Sequence, residues 1–118
     1  MTAQRALPDL DSVIHAQARL RVTVALSVVP DGDAVTFPRL QKLVGMTAGN
    51  LSTHLRKLED AGYITTTKAF QRRSPVTYVA LTRAGRQAFE GYTAALQTLL
   101  QPPELSLGRT ESNEPATT

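Results

Sequence analysis

Residues 47–62 read TAGNLSTHLRKLEDAG, and the chain is organised around them. Thr47 is a helix-starting residue whose side-chain oxygen can take up an orphan backbone N–H. Gly62 is the residue that most easily adopts the left-handed conformation just past a helix end. Between them Leu51, Leu55 and Leu58 recur at helical spacing and draw one apolar stripe, with His54 beside it. The other face carries Gly49, Asn50, Thr53, Arg56, Lys57 and Asp60. One side of this helix packs, and the other is polar and open. Its first turn bears only small or amide side chains, so a second molecule can come close to the backbone.

The segments on either side complete a motif. Thr36 caps a short helix over Phe37–Val44, with Pro38 in the first turn, where a missing N–H costs nothing. Phe37, Leu40, Leu43 and Val44 form its apolar side, leaving Arg39 and Lys42 exposed. Gly45-Met46 make the turn into Thr47. A short helix, a tight turn and a second helix with a polar open face is a helix-turn-helix. Ala34-Val35-Thr36 reads as a very short strand. After Gly62, Tyr63–Phe70 and Val76–Leu81 are rich in β-branched and aromatic residues and read as two strands. The polar link Gln71-Arg72-Arg73-Ser74-Pro75 joins them into a hairpin with two arginines at its tip. A hairpin placed there is a wing.

Upstream, Asp11 or Ser12 caps one long helix that runs to about Val29 and stops at Pro30-Asp31-Gly32-Asp33. Val13, Ala16, Leu20 and Val24 line one flank; Ile14, Ala18, Val22, Leu26 and Val29 line the other. A helix apolar nearly all round asks for cover on two sides. Downstream, Thr82 caps a last helix, Arg83 to about Leu100, whose Ala88, Phe89, Tyr92, Leu96 and Leu99 follow a near-heptad seam. A domain this small does not need all of that helix for its own core. The expectation is a twofold dimer whose interface uses Val13, Leu20 and Val24 from the first helix and Phe89, Tyr92, Leu96 and Leu99 from the last.

The chain has 118 residues, no cysteine and a net charge of +3. Disulfides, thiol chemistry and cysteine metal sites are therefore out of reach. No apolar run approaches a membrane span, no signal-peptide core opens the chain, and a cytoplasmic location is expected. The positive charge is concentrated: residues 39–73 hold Arg39, Lys42, Arg56, Lys57, Lys68, Arg72 and Arg73 against only Glu59 and Asp60. That is the pattern of a phosphate-facing surface. Residues 1–10 read as a flexible arm, 11–101 as the folded domain, and 102–118, beginning at Pro102-Pro103 and poor in aliphatics, as a disordered tail. His15 and His54 have no partners at catalytic or metal-binding spacing, and no Gly-rich phosphate loop occurs, so neither an enzyme nor a metal site is expected. His15 reads as a packed or surface residue, and His54 as the owner of a buried hydrogen bond.

A set of landmarks falls in order: Phe37, Leu40, Asn50-Leu51-Ser52, His54-Leu55, Leu58, Gly62-Tyr63-Ile64, Arg72-Arg73, Thr77, Leu81-Thr82 and Gly85-Arg86. In this pattern residues 12–100 resemble the winged helix-turn-helix transcriptional regulators of the MarR/ArsR superfamily. The resemblance implies an α+β, mainly helical fold with a β-hairpin wing and a C-terminal dimerisation helix. It implies a homodimer that binds double-stranded DNA sequence-specifically, as a repressor in most cases, on a palindromic operator. It also allows a small-molecule effector at the dimer interface. The missing cysteines depart from the metal-sensing ArsR branch, and the short termini depart from the MarR branch.

In such a domain the second helix of the motif enters the major groove with its N-terminal residues at base edges. Thr47, Ala48, Gly49, Asn50 and Thr53 are the candidate base readers, with Asn50 suited to adenine. Arg39, Lys42, Ser52, Arg56 and Lys57 are the candidate phosphate contacts. Lys68, Arg72 and Arg73 are the wing candidates, the arginines suited to the minor groove, unless one pairs with Glu59 or Asp60. Two other readings compete: a winged-helix module that binds protein, and a non-specific DNA-binding protein.

Overall fold

The computed structural model describes residues 8–101. The element order is α1 (Ser12–His15), α2 (Gln17–Ser27), β1 (Val35–Thr36), α3 (Phe37–Val44), α4 (Ala48–Asp60), β2 (Ile64–Gln71), β3 (Ser74–Leu81) and α5 (Arg83–Leu100). The expected arm and tail lie largely or wholly outside the described residues.

Three helices start where a threonine stands. The side chains of Thr36, Thr47 and Thr82 accept from the backbone N–H of Arg39, Asn50 and Gly85, at 3.4, 3.1 and 2.9 Å. Each removes one of the unpaired donors at a helix N-terminus. α4 ends as Gly62 predicts. With Gly62 at φ +81°, its N–H reaches the carbonyl of Glu59 (2.8 Å) and that of Tyr63 reaches Leu58 (3.0 Å), the paired bonds of a Schellman motif.

The sheet is antiparallel with order β1-β3-β2. The short strand at Val35-Thr36 does form, pairing Val35 with Val79 and Thr36 with Tyr78. β2 and β3 pair from Ile64–Leu81 out to Gln71–Ser74. The five-residue link expected at the tip is thus only two residues long, Arg72-Arg73, both at positive φ (52° and 70°). This is the backbone of a type I′ turn, whose twist matches that of the strands it joins. Pro75 lies inside β3 at no cost. The pair closing a two-residue turn is hydrogen-bonded, and alternation makes its neighbour Phe70–Pro75 a pair that exchanges no N–H bonds.

The single N-terminal helix expected over residues 11–29 is two helices. Ala16 is extended (ψ 130°) and breaks it. Tertiary contacts supply the reason. Asp11 caps α1 through its Oδ1 (2.8 Å to the Val13 N–H) while its Oδ2 accepts from the Tyr63 hydroxyl at 2.6 Å. His15 Nδ1 and the Tyr92 hydroxyl share a bond of 3.0 Å, and Ile14 is fully buried. The break at Ala16 goes with these contacts of α1. The Val13 carbonyl that loses its helical partner is taken by Arg19 Nε at 2.6 Å. The Asp11 carboxylate raises the pKa of the Tyr63 phenol above its ordinary value, first by that hydrogen bond and then with help from burial and the nearby negative charge.

The core lies between α2, α3, α4 and the base of the sheet: Val22, Leu26, Leu40, Leu51, Leu55, Leu58, Ile64 and Val79. α5 packs against α2 and β3. Its first turn fits so tightly that a Cβ on Gly85 would lie 2.0 Å from the Tyr63 carbonyl oxygen. The next residue, Arg86, donates to the carbonyls of Val29 (2.6 Å) and Ser27 (3.3 Å) and pairs with Asp31. The α2 carbonyl end is therefore neutralised by a side chain from α5.

Candidate nucleic-acid interface

The buried stripe of α4 is Leu51, Leu55 and Leu58. Helical spacing then places Gly49, Thr53, Arg56, Lys57 and Asp60 on the outward face, all exposed. Ala48, Asn50 and Ser52 are exposed as well, on the flanks. Ser52 and Arg56 line a groove of about 430 Å³ between α4 and the wing, together with Lys68, Thr66 and Thr77. Lys57 diverges to the opposite side, beside α1. Asn50 faces a smaller depression between α4 and α2, lined also by Gln17, Arg21 and His54. The outward face is thus flanked by cations on both sides, and small residues occupy its N-terminal end.

Hydroxyl availability narrows the candidates. Thr47 uses its oxygen as the cap acceptor, and Thr53 donates its hydroxyl to the Gly49 carbonyl at 3.1 Å. Thr53 keeps its methyl and remaining lone pair for an outside partner; Asn50 keeps its whole side-chain amide. No atom lies within 4 Å of where a Gly49 side chain would begin. The open space above Gly49 is consistent with close approach by a groove edge.

Several expectations change. Arg39 and Lys42 are both exposed on α3, Lys42 at the edge of a groove between α2 and α3. No wing arginine pairs with Glu59 or Asp60: Glu59 accepts from Thr66 at 2.9 Å instead, and Arg86–Asp31 is the single ion pair among the described residues. His54 does not make the expected buried hydrogen bond, since its Nδ1 is enclosed without a protein partner. Of the residues expected at a subunit interface, Tyr92 is buried within the chain and Val13 packs on the chain's own core. Val24 remains 45% exposed; Leu20, Phe89, Leu96 and Leu99 are half-buried.

Arg72 and Arg73 keep their places at the wing tip, exposed and both left-handed. Asparagine and glycine adopt that backbone with little strain, whereas a long side chain with a Cβ does so at about 1 kcal/mol or more each. The strain is held at an exposed basic tip. Sequence reasoning did not find Glu59 as a groove residue; its pairing with Thr66 depends on strand register that no local pattern reveals.

A helix-turn-helix with a basic hairpin at its side defines the winged-helix class. The chain belongs to the winged helix DNA-binding domain family, whose model matches residues 18–100, and it is a winged-helix regulator. It is similar to a transcriptional regulator homologue from Pyrococcus horikoshii, with 27% identity and a TM-score of 0.67 over 75% of this chain and 84% of that one. An uncharacterised protein of Methanocaldococcus jannaschii is 38% identical over 56 residues, which span 48% of this chain and 61% of that relative. The Staphylococcus aureus MepR–DNA complex shares the fold, with a TM-score of 0.58 at 21% identity over 84% of this chain and 72% of that one.

Proposed function

We propose that this protein is a sequence-specific transcriptional regulator, acting in the cytoplasm as a homodimer on palindromic double-stranded DNA, as a repressor. The observation that carries the reading is the outward face of α4: Gly49 and Thr53 at its centre, Asn50 and Ser52 on its flanks, and Arg56 and Lys57 diverging to either side. Base edges require small and amide groups; phosphates on the two strands require cations set apart. In this reading Ala48, Gly49, Asn50 and Thr53 face bases, Ser52, Arg56 and Lys57 face phosphates, and Lys68, Arg72 and Arg73 follow the adjoining groove. Arg39 supports them from α3.

The second subunit is supported by apolar surface left open. Val24, Val28 and Leu43 are 45%, 78% and 57% exposed around the groove of about 780 Å³ between α2 and α3, and Leu100 at the end of α5 is 72% exposed. A partner that covers Leu20 and Val24 with the distal part of α5, Leu96 and Leu99, would hide both. A small-molecule effector would then lie at that interface. Selection from a randomised duplex pool at two salt concentrations, with the mass of the complex measured in parallel, tests the proposal. An enriched palindrome, two chains per duplex and steep salt dependence are expected. Salt-dependent binding with no enriched sequence would leave a non-specific DNA-binding protein, and no binding at either salt would favour the protein-binding module.

A further inference from the structure

The wing carries an apolar group that phosphate contact does not explain. Phe70 is 78% exposed and sits two residues from the tip, directly across from Pro75. Side chains alternate along a strand, so Ile64, Thr66, Lys68 and Phe70 share one face of β2. That face looks toward the recognition helix. Ile64 is in the core, Thr66 bonds Glu59 of α4, and Lys68 lines the groove with Ser52 and Arg56. At about 3.3 Å per residue, Phe70 stands roughly 13 Å beyond Thr66 on this face. The Phe70–Pro75 pair is of the non-hydrogen-bonded kind, in which opposed side chains lie closest, so the two form one apolar plate. Lys68 precedes the plate, and Arg72 and Arg73 follow it.

Resting on the DNA-binding reading above, we infer that Phe70 is an apolar minor-groove wedge that enters a base step while the flanking cations hold the phosphates. The surrounding charge selects the occupant: an apolar plate bracketed by three cations, continuous with the α4 groove, suits a polyanion with stacked apolar edges. A phenyl ring cannot read donors and acceptors. It can part a stacked step, and pyrimidine–purine steps such as TA and CA/TG part most readily. Phe70 therefore determines specificity through deformability, at a position beyond the bases that α4 reads.

The test uses the full chain and its selected operator, or, if selection returns none, a mixed-sequence duplex of roughly 30 base pairs with one central TA step. 2-Aminopurine replaces the adenine of the step, and dyes at the duplex ends report bending. Wild type should brighten the 2-aminopurine and shorten the end-to-end distance. Phe70→Ala should bind about tenfold more weakly, lose both optical signals and keep the salt slope. Phe70→Leu, still apolar, should retain most of all three. Arg72→Ala should lower the salt slope by about 1 and keep the optical signals. Because Phe70 is exposed, its alanine variant should melt with wild type, which separates a binding effect from misfolding. If Phe70→Ala matches wild type in affinity and in both signals, the wedge is wrong while the DNA-binding reading stands. If wild type binds no duplex at all, both fall.

Discussion

Two glycines in this fold should respond to the same substitution with opposite signs. At Gly85 the new Cβ would lie 2.0 Å from the Tyr63 carbonyl oxygen, and genuine Cβ contacts stay beyond 3.0 Å. The N-terminal turn of α5 must therefore back away from Tyr63 by about 1 Å. That same oxygen accepts the Thr82 N–H at 3.0 Å, and the Thr82 hydroxyl donates to Gly62 at 2.7 Å. Overpacking costs about 1–3 kcal/mol and a weakened hydrogen bond about 1 more. Alanine's better helix propensity returns up to about 1 kcal/mol. The net expectation for Gly85→Ala is a loss of about 1–3 kcal/mol, a fall of about 5–20 °C in Tm for a domain of this size. At Gly49 nothing lies within 4 Å, so Gly49→Ala should raise stability by up to about 1 kcal/mol. Far-UV circular dichroism melts at one fixed protein concentration measure both. Shifts of the same sign, or a Gly85→Ala melt within about 2 °C of wild type, would refute the reasoning about close approach.

Tyr63→Phe removes the phenol that donates to Asp11 and should cost about 1–2 kcal/mol at neutral pH. The phenol holds its proton more tightly folded than unfolded, so its contribution is complete below the ordinary value of 10.0 and is lost as pH rises through the raised one. Urea melts of the two proteins should therefore converge in alkali; a gap that persists there contradicts the Asp11 bond as its cause. Replacing Arg72-Arg73 by Asn-Gly relaxes two strained residues, so the melt should rise by about 1–2 kcal/mol. Duplex affinity should fall in the same variant, with a salt slope smaller by up to about 2. Stability and affinity moving together would remove the functional account of that strain. Asn50→Ala should flatten preference at one base position at a cost of about 1–3 kcal/mol, read by repeating the selection; an unchanged motif would mean that Asn50 stays on the α2 flank when DNA is bound.

What was legible in the sequence had a local chemical cause. α3, α4 and α5 begin at Thr36, Thr47 and Thr82 because a threonine oxygen can take an N–H three residues on, and α4 stops at Gly62 because glycine tolerates the left-handed turn. What was missed had a distant one. No proline or glycine marks the break at Ala16; it follows from Asp11 meeting Tyr63 and His15 meeting Tyr92, 52 and 77 residues away. The turn residues Arg72-Arg73 carry no turn signal, and strand register overrode the Ser-Pro that does. The candidate site shows the same division. Residue types and spacing placed Gly49, Thr53, Arg56 and Lys57 on one outward face, but Tyr92 belonged to the interior. Arg86, readable only as part of a resemblance, gained a role through carbonyls at Ser27 and Val29.

The junction at Gly62-Tyr63 ties together more than a helix end. Within two residues it receives the close of α4, the cap of α5 through Thr82 and the phenol link to α1, and the wing begins at the next residue. Reading helix and wing are consequently set at one gauge, like two jaws on a single casting. A target whose grooves do not match that gauge cannot be met by sliding one jaw along the other. Under the proposed function the mismatch is taken up by the nucleic acid, and ease of deformation adds to whatever the bases facing α4 specify.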